Sequence, residues 1–244
     1  METVFFISDV HLGIQSVDHS AASRENTLCA FLEHIQDRAT HLYINGDLFD
    51  FWFEYQHVIP RSHFQTICHL KRLIDSGIRI EYVCGNHDFW LGGFFENQLG
   101  IPVHRDFIDT TINGKRFYIA HGDGLAKRDI GYRILKRVLR NPLNIKLYRM
   151  IHPYLGFKLA LFFSKLSRDH GSREDDREDY LIAAKERLYE GFDYVIFGHT
   201  HHPVVQIEEN GTYLNTGDWI HHFSYGEFSK NQLKLKFWRT KTDL

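Results

Sequence analysis

The chain has 244 residues, of which 43% are hydrophobic and 25% charged, with a net charge of −2. That length supports one sizeable domain or at most two small ones. The balance excludes a disordered chain and gives no global sign of nucleic-acid binding.

Cys29, Cys68 and Cys84 are scattered without CxxC spacing, which argues against a disulfide framework or a thiolate zinc site and suits a reducing compartment. The opening METVFFISDVHLG has no basic stretch followed by a long apolar core, so no export signal is expected. No apolar run approaches the roughly 20 residues needed to span a bilayer.

In chain order, TVFFISD (3–9) reads as a buried strand, and 23–38 as a helix through the spacing of Leu28, Phe31, Leu32 and Ile35. HLYINGD (41–47) is a second strand, 61–76 a helix closed by Gly77, and IRIEYVCGNHD (78–88) a third strand. KRFYIAHGD (115–123) follows the turn NGK, YVIFGHTH (194–201) is a fifth strand, and TYLNTGDW (212–219) and QLKLKFW (232–238) are late strands with ENG (209–211) as a turn. Alternating strands and helices predict an α/β layered fold over 1–244, interrupted by a separate segment at about 125–170.

Five strand ends carry polar residues: SDVHL (8–12), NGDLFD (45–50), GNHD (85–88), AHGD (120–123) and GHTHHP (198–203). Each has an ordinary reading alone. Asp and Asn favour turns, and a lone His121 is more often a satisfied core histidine than a ligand. Together they require five coincidences at the strand ends where open α/β sheets bind ligands. Carboxylates and imidazoles without thiolate suit Mn²⁺, Fe²⁺ or Zn²⁺, and two such ions a few ångströms apart suit phosphoryl displacement. Asp47 is the natural bridging carboxylate.

The ordered set DxH, GD, GNHD, H and GHxH resembles the calcineurin-like metallophosphoesterases. The resemblance implies a four-layer αββα sandwich with a helical cap insertion and two divalent ions, Mn²⁺ being the metal expected. It sorts the ligands as Asp9, His11 and His201 on one ion and Asn86, His121 and His199 on the other, with Asp47 on both. It makes His87 the catalytic residue, contacting the phosphoryl group and protonating the leaving group, and gives Asp88 the task of orienting a histidine. Asn86, His87 and His199 are then also substrate contacts.

From Arg128 to Arg168 there are ten Lys or Arg against one acid, Asp129, a net +9; the other 203 residues therefore carry −11. This basic segment is interleaved with LYRMIHPYLGFKLALFFSKLSR, and a basic amphipathic helical pair reads as a membrane-surface element. Leu159, Phe162 and Phe163 are expected to face a lipid groove or membrane rather than a sealed core. GDLFDFW, GNHDFWLGGFF, HGDGLAKRDIGY and NTGDWI resemble the UDP-2,3-diacylglucosamine pyrophosphohydrolases of the lipid A pathway. That implies water attack on the α-phosphorus of a UDP-linked lipid. It places Asp129 and Tyr132 near the glucosamine-nucleotide and Lys165 and Arg168 at the second phosphate. His87 is a departure, because the best-characterised branch carries GNRD. The expected partners are the lipid substrate and a membrane surface, not nucleic acid, and the expected location is the cytoplasm, peripherally on the inner membrane. The alternatives are a phosphoesterase acting on nucleotides or nucleic acid, and a non-catalytic metal-binding scaffold; the complete ligand set and His87 argue against the scaffold.

Overall fold

Strand β1 (Val4–Ile7) is buried on both faces, and its alternation sorts two cores. Phe5 and Ile7 join one apolar cluster while Val4 and Phe6 join another, as the period-two geometry of a strand demands. The structure, a computed structural model, describes residues 2–13, 21–55, 57–126, 130–168 and 176–238, with side chains outside the description at 21, 22, 130, 161–168 and 176.

Around β1 lie strands β2 (His41–Asn45), β3 (Arg79–Val83) and β4 (Val103–His104), in parallel succession. Helices α1 (Ala21–Ile35) and α2 (Phe64–Asp75) connect them and cover the outer face through Leu28, Phe31, Leu32 and Ile35 and through Ile67, Leu70 and Leu73. The segment read as a helix over 61–76 begins with a 3-10 turn, Arg61–His63, before α2.

A second sheet is built from β5 (Phe107–Ile112), β6 (Lys115–Ala120), β7 (Tyr194–Phe197), β8 (Val204–Glu208) and β9 (Gly211–Asn215), in the order β5-β6-β7-β9-β8. Strands β6, β7 and β9 run parallel. Phe117, Ile119, Ile196 and Leu214 face the first sheet. Ala120, Val195, Phe197 and Tyr213 face α6 (Asp176–Tyr189), which returns Tyr180, Ala184 and Leu188 at four-residue spacing. The chain ends in the hairpin β10 (Ser224–Ser229) and β11 (Gln232–Phe237), which completes the first sheet as β11-β10-β1-β2-β3-β4. The layers are therefore helix, sheet, sheet, helix, as expected.

The NGK turn is Asn113 and Gly114, both at positive φ, joining β5 to β6 as a two-residue hairpin. Strands β4, β5, β8 and β10 were not legible in the sequence. Between β6 and β7 stand α3 (Ile130–Leu139), α4 (Pro142–Arg149) and α5 (Pro153–Arg168). They cap a loop packed with aromatics, where Phe51, Phe53 and Ala160 form a small cluster with Tyr55, Trp90, Ile145 and Tyr148. No helix among the described residues is long and apolar enough to cross a membrane.

Candidate metal centre

Six parallel strands, three from each sheet, deliver the polar residues to one end of the sandwich. β1 runs into Asp9 and His11, β2 into Asp47, and β3 into Asn86 and His87. From the second sheet β6 delivers His121, β7 delivers His199 and His201, and β9 runs into Asp218. The first two loops are laced together: the Asp9 amide donates to the Gly46 carbonyl at 3.1 Å and the His11 amide to the Asp47 carbonyl at 2.9 Å. Asp9, His11, Asp47, His199 and His201 all have φ between 49° and 65°. Left-handed residues with a side chain cost roughly 1–3 kcal/mol each and cluster where function over-determines the backbone. Gly85 makes the packing possible, because a Cβ there would collide with Oδ1 of Asp47.

Two groups form. In the first, Nε2 of His11 and Nε2 of His201 face each other at 3.2 Å, and Oδ1 of Asp9 lies 3.8 Å and 3.4 Å from them. In the second, Nε2 of His121 lies 3.3 Å from Oδ2 of Asp47 and 3.0 Å from Oδ1 of Asn86, and His199 completes the group with Asp47 and His121. The same Oδ2 of Asp47 lies 3.7 Å from Nε2 of His11, so one oxygen faces both groups.

The charges are set by mutual proximity. Burial opposes ionisation of Asp47, but His121, His87 and His11 hold its carboxyl well below the usual range. Burial likewise opposes the charge on His11 and His121, yet Asp50, Asp9 and Asp47 push the first up to about 10, and Asp47, Asp9 and Asp123 push the second up to about 10. Burial and the positive His121 push His199 down to about 4, and burial pushes His201 down.

A supporting ring surrounds these residues, most of it missed by the sequence reading. Asp50, in the quoted GDLFD, receives Nδ1 of His87 on its carbonyl at 3.1 Å and on Oδ1 at 3.3 Å, and stands 3.8 Å from Nδ1 of His11. Arg24, wholly buried on α1, donates to the His11 carbonyl at 3.1 Å. Asp218 faces Nδ1 of His201 at 3.7 Å while its other oxygen accepts the amides of 220–222. Asp123 accepts the Tyr132 hydroxyl at 2.7 Å and pairs with Lys136 at 2.7 Å; despite burial, His121 and Lys136 hold it at about 2.

One expectation is corrected. Asp88 hydrogen-bonds no histidine among the described residues: it accepts from the Tyr82 hydroxyl and from the amides of Gly85 and Phe49. It fixes the turn rather than an imidazole, and Asp50 faces the histidines instead. Tyr132 sits at the site's margin on Asp123. Asp129 lies outside the described residues, and so do the side chains of Lys165, Arg168, Phe162 and Phe163.

The donor set fits divalent cations. Oδ1 of Asp9 is buried without a hydrogen-bond partner, a costly arrangement for an ionised oxygen. It points into the same space as two imidazole nitrogens, one of them on the low-pKa His201. Oxygen and imidazole ligands of this kind suit Mn²⁺, Fe²⁺ or Zn²⁺.

Two stacked mixed sheets with carboxylates and imidazoles gathered at their strand ends define a metallophosphoesterase. The chain belongs to the calcineurin-like phosphoesterase family, whose pattern it matches over residues 2–203; members bind a pair of divalent ions. It is 35% identical to a UDP-2,3-diacylglucosamine hydrolase of Porphyromonas gingivalis, over 96% of each chain. It is 32% identical to the protein of that name from Haemophilus ducreyi, over 90% of this chain and 92% of that one. Among solved structures, an archaeal phosphodiesterase superposes with a TM-score of 0.51 at 14% identity, over 97% of this chain and 99% of the other, and shares the fold.

Proposed function

We propose that the chain hydrolyses the pyrophosphate of UDP-2,3-diacylglucosamine to UMP and 2,3-diacylglucosamine 1-phosphate, a step of lipid A biosynthesis. The name carried by relatives that align along nearly the whole chain supports the substrate. The structural observation that carries the reading is that α3 is inside out. Its half-buried face holds Tyr132 and Lys136, while Ile134, Leu135 and Val138 are exposed. Leu143, Met150 and Tyr154 continue this apolar surface at 63%, 80% and 60% exposure. A cap packed only for stability would bury these side chains; one that meets acyl chains presents them.

Asp9, His11 and His201 would hold one ion, Asn86, His121 and His199 the other, and Asp47 both, with Mn²⁺ the metal we expect. Such ions, when bound, polarise phosphoryl oxygens and lower the pKa of water. The chain's own residues do the rest. Asn86, His87 and His199 face the phosphoryl oxygens. Asp50 holds the Nδ1 edge of His87, so the ring can give a proton to the leaving oxygen as the bond between the α-phosphorus and that oxygen breaks and water's oxygen takes its place. Asp129 and Tyr132 serve the glucosamine-nucleotide, and Lys165 and Arg168 the second phosphate. The protein is expected in the cytoplasm, peripherally on the inner membrane, a location that the basic, apolar surface of the cap supports by its attraction to anionic lipid. The test is a mass-spectrometric assay of the purified protein with UDP-2,3-diacylglucosamine and Mn²⁺ beside a panel of nucleotides. UMP release from the lipid substrate is expected, and turnover confined to the nucleotides would overturn the proposal.

A further inference from the structure

The cap is attached in two chemically different ways. Helices α4 and α5 are held by packing: Ile145, Tyr148 and Ala160 meet Phe51, Phe53, Tyr55 and Trp90, and α5 passes so near that a Cβ on Gly156 would collide with the Tyr55 hydroxyl. No described side chain of α3 joins an apolar cluster, and Ile134, Leu135 and Val138 are exposed. What it turns inward is polar. Tyr132, Lys136 and Arg140 recur every fourth residue, so they share one face of α3 and its end. Tyr132 and Lys136 each reach Oδ2 of Asp123 at 2.7 Å, and Nη2 of Arg140 lies 4.0 Å from it. Arg140 also donates to the carbonyls of Arg105 at 3.0 Å and Gly85 at 3.3 Å, the latter beginning the loop that carries Asn86 and His87.

Asp123 follows His121 by two positions but takes part in neither ion group. We infer that Asp123, Lys136 and Arg140 form an ionic latch that seats α3 over the phosphoester site, and that these are positioning residues which make hydrolysis of a capped lipid nucleotide efficient. The inference rests on the reading that the substrate lies beneath the cap. A buried carboxylate with few cations to share is a strong anchor as a set and a costly charge once its partner is removed. A helix held this way can be released without unfolding the sandwich, because no described residue of α3 belongs to its three cores. Arg140 also ties the helix end to the Gly85 carbonyl of the first sheet. Trp90, just beyond that loop, donates to the Leu139 carbonyl at 3.0 Å and closes the same seam.

The test compares Lys136→Met, Lys136→Arg and Arg140→Met with the natural chain by two independent readouts. The first is amide hydrogen exchange without substrate. Lys136→Met should accelerate exchange over 130–139 and leave α4 unchanged, and Lys136→Arg should restore protection. Unchanged exchange over 130–139 would overturn the latch, whatever the substrate proves to be. The second is kcat/KM for UDP-2,3-diacylglucosamine against bis(4-nitrophenyl) phosphate, with metal content determined on the same samples. The two Met variants should lose about ten- to hundred-fold on the lipid nucleotide, the scale of a displaced positioning element, with the small diester and metal content unchanged. Equal loss on both substrates, or loss on neither, would overturn the latch. If the natural chain cleaves the diester but never the lipid nucleotide, the substrate reading fails while the exchange result still decides whether α3 is latched.

Discussion

Oδ1 of Asp50 lies 3.3 Å from Nδ1 of His87, and the His87 ring meets the His11 ring edge-on at 4.8 Å between centroids. One carboxylate therefore backs both the proposed proton donor and a proposed metal ligand. Asp50→Asn keeps the shape and removes the charge. Turnover and affinity for one of the two ions should fall about 10–100-fold, the range for such outer partners. Metal titration by calorimetry beside steady-state rates checks this; unchanged values for both would remove Asp50 from the site.

Asp47→Ala should abolish activity and release both ions, because Oδ2 faces His11 at 3.7 Å and His121 at 3.3 Å. Elemental analysis after dialysis reads the outcome directly. Two ions at full occupancy would refute the shared carboxylate.

His87→Ala should lower turnover by roughly 10²–10⁴-fold, the usual contribution of a positioned acid, with metal content nearly intact. The backbone amide of His87 donates to Asp47 at 2.8 Å, and alanine retains that bond. Loss of metal in this variant would move His87 among the ligands.

In chelated protein, His11 and His121 are raised above the ordinary histidine value, to about 10. A raised histidine stabilises the fold fully below about 6.5 and loses that contribution as pH climbs through its folded value. The melting temperature of the metal-free protein should therefore decline between about pH 6.5 and 10, and ion uptake near pH 7.5 should release protons. Calorimetry in buffers of different ionisation enthalpy measures that release. Uptake without proton release would show that the two imidazoles are already neutral.

Leu143 and Leu147 are 63% and 54% exposed, so changing both to Ser should leave the melting temperature where it was and weaken binding to anionic vesicles. Phe53→Ser, in the buried aromatic plug, should cost about 3–5 kcal/mol by cavity formation. Vesicle co-sedimentation at two salt concentrations, with thermal melting on the same samples, separates the cases. A large drop in melting temperature for the Leu pair would make the cap an ordinary packed lid.

The sequence made the ion-holding candidates visible because each follows a buried strand, and buried strands announce themselves as apolar runs that stop. It also marked the cap by charge. What it hid was which side chain meets which across long separations. Asp88 stands beside His87 in the chain, yet the turn at Gly85 sends its carboxylate down to Tyr82, and Asp50 reaches the imidazole instead. Arg24 and Asp218 carry no local spacing that points to His11 or His201. Strand β5, with only Ile108 and Ile112 fully buried, and β8, with none of its residues fully buried, lack the continuous apolar run that betrayed their neighbours.

The residues gathered at the strand ends come from both sheets: Asp9, His11, Asp47 and Asn86 from one, His121, His199 and His201 from the other. A nascent chain therefore cannot complete either ion group until β7 has emerged and docked. Up to that point the ribosome-bound fragment carries a partial set of carboxylates and imidazoles with weak, unselective appetite for metals. Once closed, a bound pair of ions would staple the mouth of a sandwich whose layers no disulfide joins, since its three cysteines are free. Loading the site would then add stability to a fold already closed, in proportion to the metal available.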